Sequence, residues 1–138
     1  MDIKKLLTGT IIGGVLFFLL GWLIYGNLLM NFMRNHTGKV GGVILRNPHM
    51  LYLVAGTLLQ GAALAWITLK ANVKSMAEGL TTGAVAGFLI TASYDVTMYA
   101  TTIVTSKQAI AADIIAATVI FAVVGAVIGF VYGNKKTA

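Results

Sequence analysis

Four long apolar stretches with short connections constrain this chain more than any other feature. Of its 138 residues, 58% are hydrophobic and only 10% are charged. A soluble domain carries roughly 25% charged residues because its outer surface must be wetted. The composition therefore excludes an ordinary soluble globular enzyme. A bilayer core takes about 20 residues of helix to cross, and the four stretches cover about residues 6–33, 50–69, 80–104 and 110–132.

The apolar stretches are predicted to be helices. They run without the strict alternation of barrel strands, and a helix satisfies its backbone N–H and C=O groups internally, as lipid requires. We therefore predict an all-α fold: an antiparallel bundle of four transmembrane helices that forms a single integral membrane domain over residues 1–138. The first stretch is too long for a signal peptide and no Ala-x-Ala-like site follows it, so it is expected to be a retained span.

Local motifs predict where the helices begin and end. Ser75 with Glu78 forms a capping box that opens the third span, and Asn47-Pro48 suits the cap and first position of the second span. Ser106 or its neighbour Thr105 caps the fourth span. Asn72 lies where the second span should stop. Only the connection over residues 34–49, called loop one below, has room for structure of its own.

The Lys and Arg residues predict the orientation, because cytoplasmic loops carry an excess of them. These basic residues lie between the apolar stretches and do not cluster on one face. The net charge of +6 therefore indicates a membrane protein and no nucleic-acid partner. Both termini are expected in the cytoplasm. The side of the termini carries Lys4, Lys5, Lys70, Lys74, Lys135 and Lys136. The opposite side carries Arg34, Lys39, Arg46 and Lys107.

The first and third spans match each other at an offset of 70 residues. A tandem repeat of two helical hairpins would produce such a match, and so would coincidence among common residues of apolar helices. Both explanations stay open at this point. The matched pairs are Gly9 with Gly79, Gly13 with Gly83, Phe18 with Phe88 and Leu19 with Leu89.

Glycines spaced by four residues predict the tight helix contacts. Little hydrophobic force acts between helices in lipid, so rows of small residues drive packing through close backbone approach. All the rows lie in the half of each span nearest the termini, which should be the dry part of the bundle. The packing residues predicted in this way are Gly9, Gly13, Gly79, Gly83, Gly87, Gly125, Gly129 and Gly133.

Polar residues occupy the other half of the spans and predict a cavity that opens toward loop one. Asp95 is the most informative of them. Inserting a carboxylate into a membrane span costs at least about 2.5 to 3.5 kcal/mol, so its side chain must face a partner in the interior. That partner is Tyr94, Tyr25, Gln60, or a guanidinium of Arg34 or Arg46. Asp95 either forms a ligand or proton site or joins two helices by a hydrogen bond. The predicted cavity residues are Asp95, Tyr94, Tyr25, Gln60 and Asp113.

Other chemistry is weakly supported. The chain has no Cys, which removes thiolate nucleophiles and Cys-ligated metals. His36 and His49 flank loop one without metal-ligand spacing, and Asp113 in the first turns of the fourth span suits the helix dipole. We therefore predict no cofactor, no metal and no enzymatic activity.

Two short stretches resemble an uncharacterised family of small bacterial four-helix membrane proteins. They are Gly21-Trp22-Leu23-Ile24-Tyr25-Gly26 and Tyr94-Asp95, with Asp113 opening the fourth span. The resemblance implies a bacterial inner membrane protein over the whole chain and draws attention to Tyr25, Tyr94 and Asp95. It implies no established activity.

Three functional hypotheses follow from the sequence. The first is a membrane protein whose polar cavity near Asp95 binds or passes a small molecule, a lipid group or an ion. The second is a structural or accessory subunit that assembles through its Gly-rich faces with itself or with a larger membrane partner. The third is a membrane enzyme that acts on a lipid-like substrate through Asp95 with His36 or His49. Membrane lipids are expected partners in each case.

Overall fold

The regular structure of the chain is entirely helical. A computed structural model describes residues 1–45 and 47–134, and these contain no strand. The predicted all-α class is therefore confirmed. The elements are α1 (Ile3–Leu23), a π-helical segment (Ile24–Leu28), α2 (Met30–Asn35), α3 (Met50–Lys70), α4 (Met76–Thr101) and α5 (Lys107–Asn134).

Three helices in the described ranges are long and apolar enough to cross a membrane: Ile3–Leu28, Met50–Lys70 and Lys107–Asn134. The helix that corresponds to the predicted span 6–33 ends earlier than expected, at Leu28. The helical register breaks near Leu29, and the six-residue α2 follows as a separate element. The predicted span 80–104 overlaps α4, which has 26 residues but begins earlier, at Met76, and ends earlier, at Thr101. Polar residues such as Thr91, Ser93 and Asp95 make α4 less apolar than the other three.

The helix ends follow most of the predicted signals. Ser75 caps α4, its hydroxyl accepting a hydrogen bond from the Glu78 N–H at 3.2 Å. The Glu78 carboxylate reaches one residue beyond the ordinary capping box and accepts from the Lys74 N–H at 2.7 Å. Asn72 has a left-handed backbone (φ 55°) just after α3, a common helix stop. The Ser106 hydroxyl accepts from the Ala109 N–H at 3.2 Å and so caps α5.

The predicted cap of the second span was wrong, although the helix begins at Met50 as predicted. Asn47 and Pro48 do not open α3, because His49 still has an extended backbone (ψ 99°) and occupies the cap position itself. Its side chain makes no capping hydrogen bond, so the helix begins at Met50 without a side-chain cap.

The long helices form two pairs, α1 with α3 and α4 with α5, and α5 also packs against α1. The order of the glycine contacts along each pair shows that the paired helices are antiparallel. The pairs share a burial pattern. Each of the five buried positions of α3 has a buried counterpart 64 residues later in α5. Examples are Gly61 with Gly125 and Leu64 with Ile128. This likeness accords with the predicted tandem repeat, which remains a prediction.

The tightest contacts form where backbones meet at glycines. In the first pair, a Cβ on Gly13 would lie 2.9 Å from the Gly61 Cα. In the second pair, a Cβ on Gly79 or Gly83 would overlap a backbone oxygen of α5, and one on Gly87 would strike Phe121. The predicted Gly residues all lie at contacts within the chain: Gly9 and Gly13 of α1, Gly79, Gly83 and Gly87 of α4, and Gly125, Gly129 and Gly133 of α5.

The densest core lies between these contacts, on the side of the termini. Leu64, Val124 and Ile128 have no exposed surface. The ring of Phe17 packs edge-on against Phe121 with centroids 4.7 Å apart. Large apolar side chains such as Leu59 instead face outward. A continuous apolar exterior of this kind is expected of a surface in contact with lipid.

Candidate functional site

Tyr25 and Asp113 link the first helix to the last at the end of the bundle remote from the termini. Tyr25 lies in the π-helical segment, a type of irregularity that is frequent at functional sites because it shifts side chains out of helical register. Its hydroxyl donates a short hydrogen bond to the Asp113 carboxylate, and it also lies 3.3 Å from the Asp113 backbone oxygen. Asp113 is thereby held in one orientation.

Asp95 lies beside Asp113 and is almost completely buried. The residue is 6% exposed, and it lines the same cavity as Asp113. The Asp95 Oδ2 atom receives no hydrogen bond from any described residue. A buried carboxyl oxygen without a partner is costly, and two neighbouring carboxylates repel each other. The pair therefore requires a proton or a cation near it.

Both carboxyl groups line a cavity of about 350 Å³. Its walls come from α2, loop one, the end of α4, the α4–α5 connection and the start of α5. Apart from the two carboxyl groups and a few hydroxyls, the walls are apolar. The lining residues are Met33, Thr37, Val43, Ile44, Tyr94, Asp95, Met98, Val104, Thr105, Ala109, Ile110 and Asp113.

Loop one forms the wall of the cavity on the side opposite the termini. The Lys39 N–H donates to the Ile103 backbone oxygen at 2.8 Å, and the Ser106 hydroxyl donates to the His36 backbone oxygen. Between these bonds, Gly38 lies so close to the α4–α5 connection that a Cβ would overlap the Ile103 oxygen. A glycine is therefore needed for loop one to reach this position.

Arg34 belongs to a neighbouring smaller cavity rather than to the carboxyl pair. This second cavity, of about 180 Å³, is lined by Arg34 and Gly42 and shares Thr37, Val43 and Ile44 with the larger one. The Arg34 Nε atom is buried without a hydrogen-bond partner among the described residues. Arg34 is therefore not the partner of Asp95 in this structure. Arg46, the alternative partner, lies outside the described residues.

The structure gathers four of the five predicted cavity residues. Asp95, Asp113 and Tyr94 line the cavity, although 64% of the Tyr94 side chain is exposed, and Tyr25 reaches it through its bond to Asp113. Gln60 does not join them, because it lies on the exposed face of α3.

Neither histidine lines the cavity. The His36 ring stacks on Phe32 at 4.1 Å, and its Nδ1 lies 2.8 Å from the Phe32 backbone oxygen. His49 occupies the residue position just before α3, and its ring packs edge-on against Tyr52. The proposed pairing of a histidine with Asp95 therefore has no support in this geometry. Among the described residues, no group of three or more His, Asp or Glu side chains is placed to hold a metal.

Sequence reasoning missed most of the cavity wall. The one signal present was the apolar part of loop one, where Val43 and Ile44 line the same cavity as the carboxyl pair. Met33 and Met98 could not be identified as cavity residues from sequence. In an apolar helix, a methionine that lines a cavity has the same sequence pattern as one that faces lipid or the core.

Comparison with known proteins gives no match: no family model, no curated protein and no solved structure is significantly similar to this chain.

Proposed function

We propose that this chain is a non-enzymatic integral membrane protein whose cavity beneath loop one binds or passes a small molecule, a lipid group or an ion. One observation carries the proposal. Asp95 buries a carboxyl oxygen without a partner on the wall of a cavity of about 350 Å³. A purely structural carboxyl group would be expected to have its hydrogen bonds satisfied by neighbouring helices, whereas a binding group is left free for its ligand.

The proposal includes four spans, in which α4 crosses the membrane in addition to the three helices named above. Its 26 residues extend about 39 Å as a helix, more than the roughly 30 Å of a bilayer core. The path of the chain also supports a crossing by α4. The end of α3 lies beside the end of α5, since Gly133 packs against Lys74. The start of α5 lies at loop one, and α4 must connect these two ends.

We further propose that both termini face the cytoplasm and that the membrane is a bacterial inner membrane. The orientation rests on six Lys residues on the side of the termini against four Lys and Arg residues opposite. Lys135, Lys136 and Arg46 from that comparison lie outside the described residues. The compartment rests on the resemblance of the Tyr25 and Tyr94-Asp95 motifs to small bacterial membrane proteins.

Native mass spectrometry of the purified protein tests the binding role. We expect wild-type protein to retain a ligand or lipid that is lost in both Asp95→Asn and Asp95→Ala. Asp2→Asn is the matched control, because Asp2 caps α1 far from the cavity and Asn caps a helix as well as Asp does. Identical sets of retained molecules in all four proteins would remove the binding role.

A second candidate function is that of a subunit in an oligomer, and Gln60 favours it. The Gly-rich rows are occupied inside the chain, so they leave no face for assembly. Gln60, in contrast, lies exposed midway along α3, and nothing lies within 4 Å of a Cβ built on Gly56 one turn away. An amide exposed to lipid is stabilised by a hydrogen bond to another helix, and a second copy would supply one.

Cysteine cross-linking in native membranes tests this candidate, since the chain contains no Cys. If α3 pairs with a second copy, Gln60→Cys should form a disulfide-linked dimer. Ala65→Cys is the control, because Ala65 is completely buried against Gly9 of α1. Exclusively monomeric Gln60→Cys under oxidising conditions would count against the oligomer.

A further inference from the structure

The carboxyl pair defines the charge of what the cavity accepts. Tyr25 already donates to Asp113, so the unsatisfied acceptor is Oδ2 of Asp95. No cationic side chain of the described residues lines this cavity, since Arg34 lies in the neighbouring one. Two carboxylates would repel an anion, and a neutral molecule would leave the pair dependent on a bound proton. A cation compensates the charge directly and is therefore the complementary ligand.

The walls define the kind of cation. Magnesium and calcium bind six or more oxygen ligands, whereas the side-chain oxygens of this wall are those of the two carboxyl groups and the hydroxyls of Thr37, Thr105 and Tyr94. The remaining side chains, among them Met33 and Met98, are apolar. The sulfur of methionine is polarisable, and an aromatic ring such as that of Tyr94 attracts ammonium groups.

We propose that the cavity binds a monovalent organic ammonium ion with an apolar body, an inference that rests on the binding role proposed above. The positive nitrogen lies against the Asp95 carboxylate, and the apolar body lies against the methionine and branched aliphatic side chains beneath loop one. Tyr25 acts as a positioning residue, because it fixes Asp113 and leaves Asp95 available. The volume, about 350 Å³, lies within the range of small-molecule sites, about 300 to 1,000 Å³.

Equilibrium dialysis of the purified full chain in detergent tests the proposal with benzyltrimethylammonium as the probe. Benzyl alcohol keeps the ring without the charge, and potassium chloride supplies charge without an apolar body. We expect saturable binding of the probe to wild-type protein, with little competition from either comparison compound. Loss of a charge-assisted contact should weaken probe binding to Asp95→Asn by about tenfold or more. Asp2→Asn should bind like wild type.

A second variant keeps the test valid if Asp95→Asn does not fold. Met98→Trp retains both carboxyl groups and fills part of the cavity that Met98 lines, so it should also bind the probe about tenfold or more weakly. Size-exclusion chromatography and circular dichroism report whether each variant is folded. Wild-type-like binding by folded Asp95→Asn, or by folded Met98→Trp, overturns the proposal.

The result also separates this inference from the binding role on which it depends. If benzyltrimethylammonium fails to bind, or benzyl alcohol competes equally well, the ammonium specificity is wrong. Native mass spectrometry then decides the broader role. A neutral or anionic molecule retained by wild type and lost in Asp95→Asn would preserve the binding role alone, and no Asp95-dependent molecule of any class would remove both.

Discussion

The Tyr25 hydroxyl donates a hydrogen bond to the Asp113 carboxylate across 88 positions of the sequence. This contact joins the π-helical segment after α1 to the second turn of α5. It also brings Asp113 beside Asp95 of α4, so that residues of three separate elements meet at one point. The cavity, the unpartnered Asp95 oxygen and the cover formed by loop one all lie next to this contact.

Removal of the Tyr25 hydroxyl should weaken the bundle at this point. Tyr25→Phe keeps the ring that packs against the core and loses the bond to Asp113. We expect a loss of about 0.6 to 2 kcal/mol, since hydrogen bonds inside membrane bundles average near the lower value and bonds to charged groups approach the higher one. Thermal unfolding in detergent measures the change. Tyr52→Phe is the control, because Tyr52 is 77% exposed, and an equal effect of both substitutions would contradict the account.

The α4–α5 contact should tolerate no side chain at Gly83. A Cβ there would overlap the Phe121 backbone oxygen, so Gly83→Ala must separate the two helices and should destabilise the protein by about 1 to 3 kcal/mol. Gly21→Ala is the matched control, because that position of α1 is open and alanine favours the helix. Thermal unfolding compares the two variants. A Gly83→Ala protein as stable as Gly21→Ala would show that the helices are not in close contact here.

A side chain at Gly38 should displace loop one from the cavity. Gly38→Ala would overlap the Ile103 oxygen and disturb the neighbouring Lys39–Ile103 hydrogen bond. We expect loop one to become more susceptible to proteolysis, since exposed and detached loops are preferred cleavage sites. Gly41→Ala should leave cleavage unchanged, because nothing lies near that position. Equal cleavage rates for the two variants would argue against the seated loop.

Cysteine labelling should place the two ends of α4 on opposite sides of the membrane. The chain contains no Cys, so Lys70→Cys and Lys107→Cys each introduce a single thiol at an exposed position. If α4 crosses the bilayer, a membrane-impermeant reagent applied to intact cells should label only one of them. Labelling of both from the same side would restrict the spanning helices to α1, α3 and α5.

The helical class, the approximate positions of the long helices and the cap at Ser75 could be predicted from sequence, because they depend on local composition and short motifs. The place of Asp95 in the interior followed from the cost of a carboxylate in lipid. The π-helical segment could not be predicted, since its residues Ile24–Leu28 read as a continuous apolar helix.

Contacts between distant segments also could not be predicted from the sequence pattern. Gln60 has the same polar character as the cavity residues, but its position on the helix circumference directs it outward from α3. The cover over the cavity depends on how loop one folds back onto the α4–α5 connection. Periodicity within a helix gives no information on such a contact.

The accessibility of α4 on its two faces tests the central claim most directly. Met98 lines the cavity, whereas Val96 is 55% exposed on the outer surface of the bundle. In membranes, a small water-soluble thiol reagent should modify Met98→Cys, and benzyltrimethylammonium should slow that reaction, while Val96→Cys in contact with lipid should remain unmodified. Modification of Val96→Cys with Met98→Cys left unreactive would place the polar cavity on the wrong face of α4 and contradict the account.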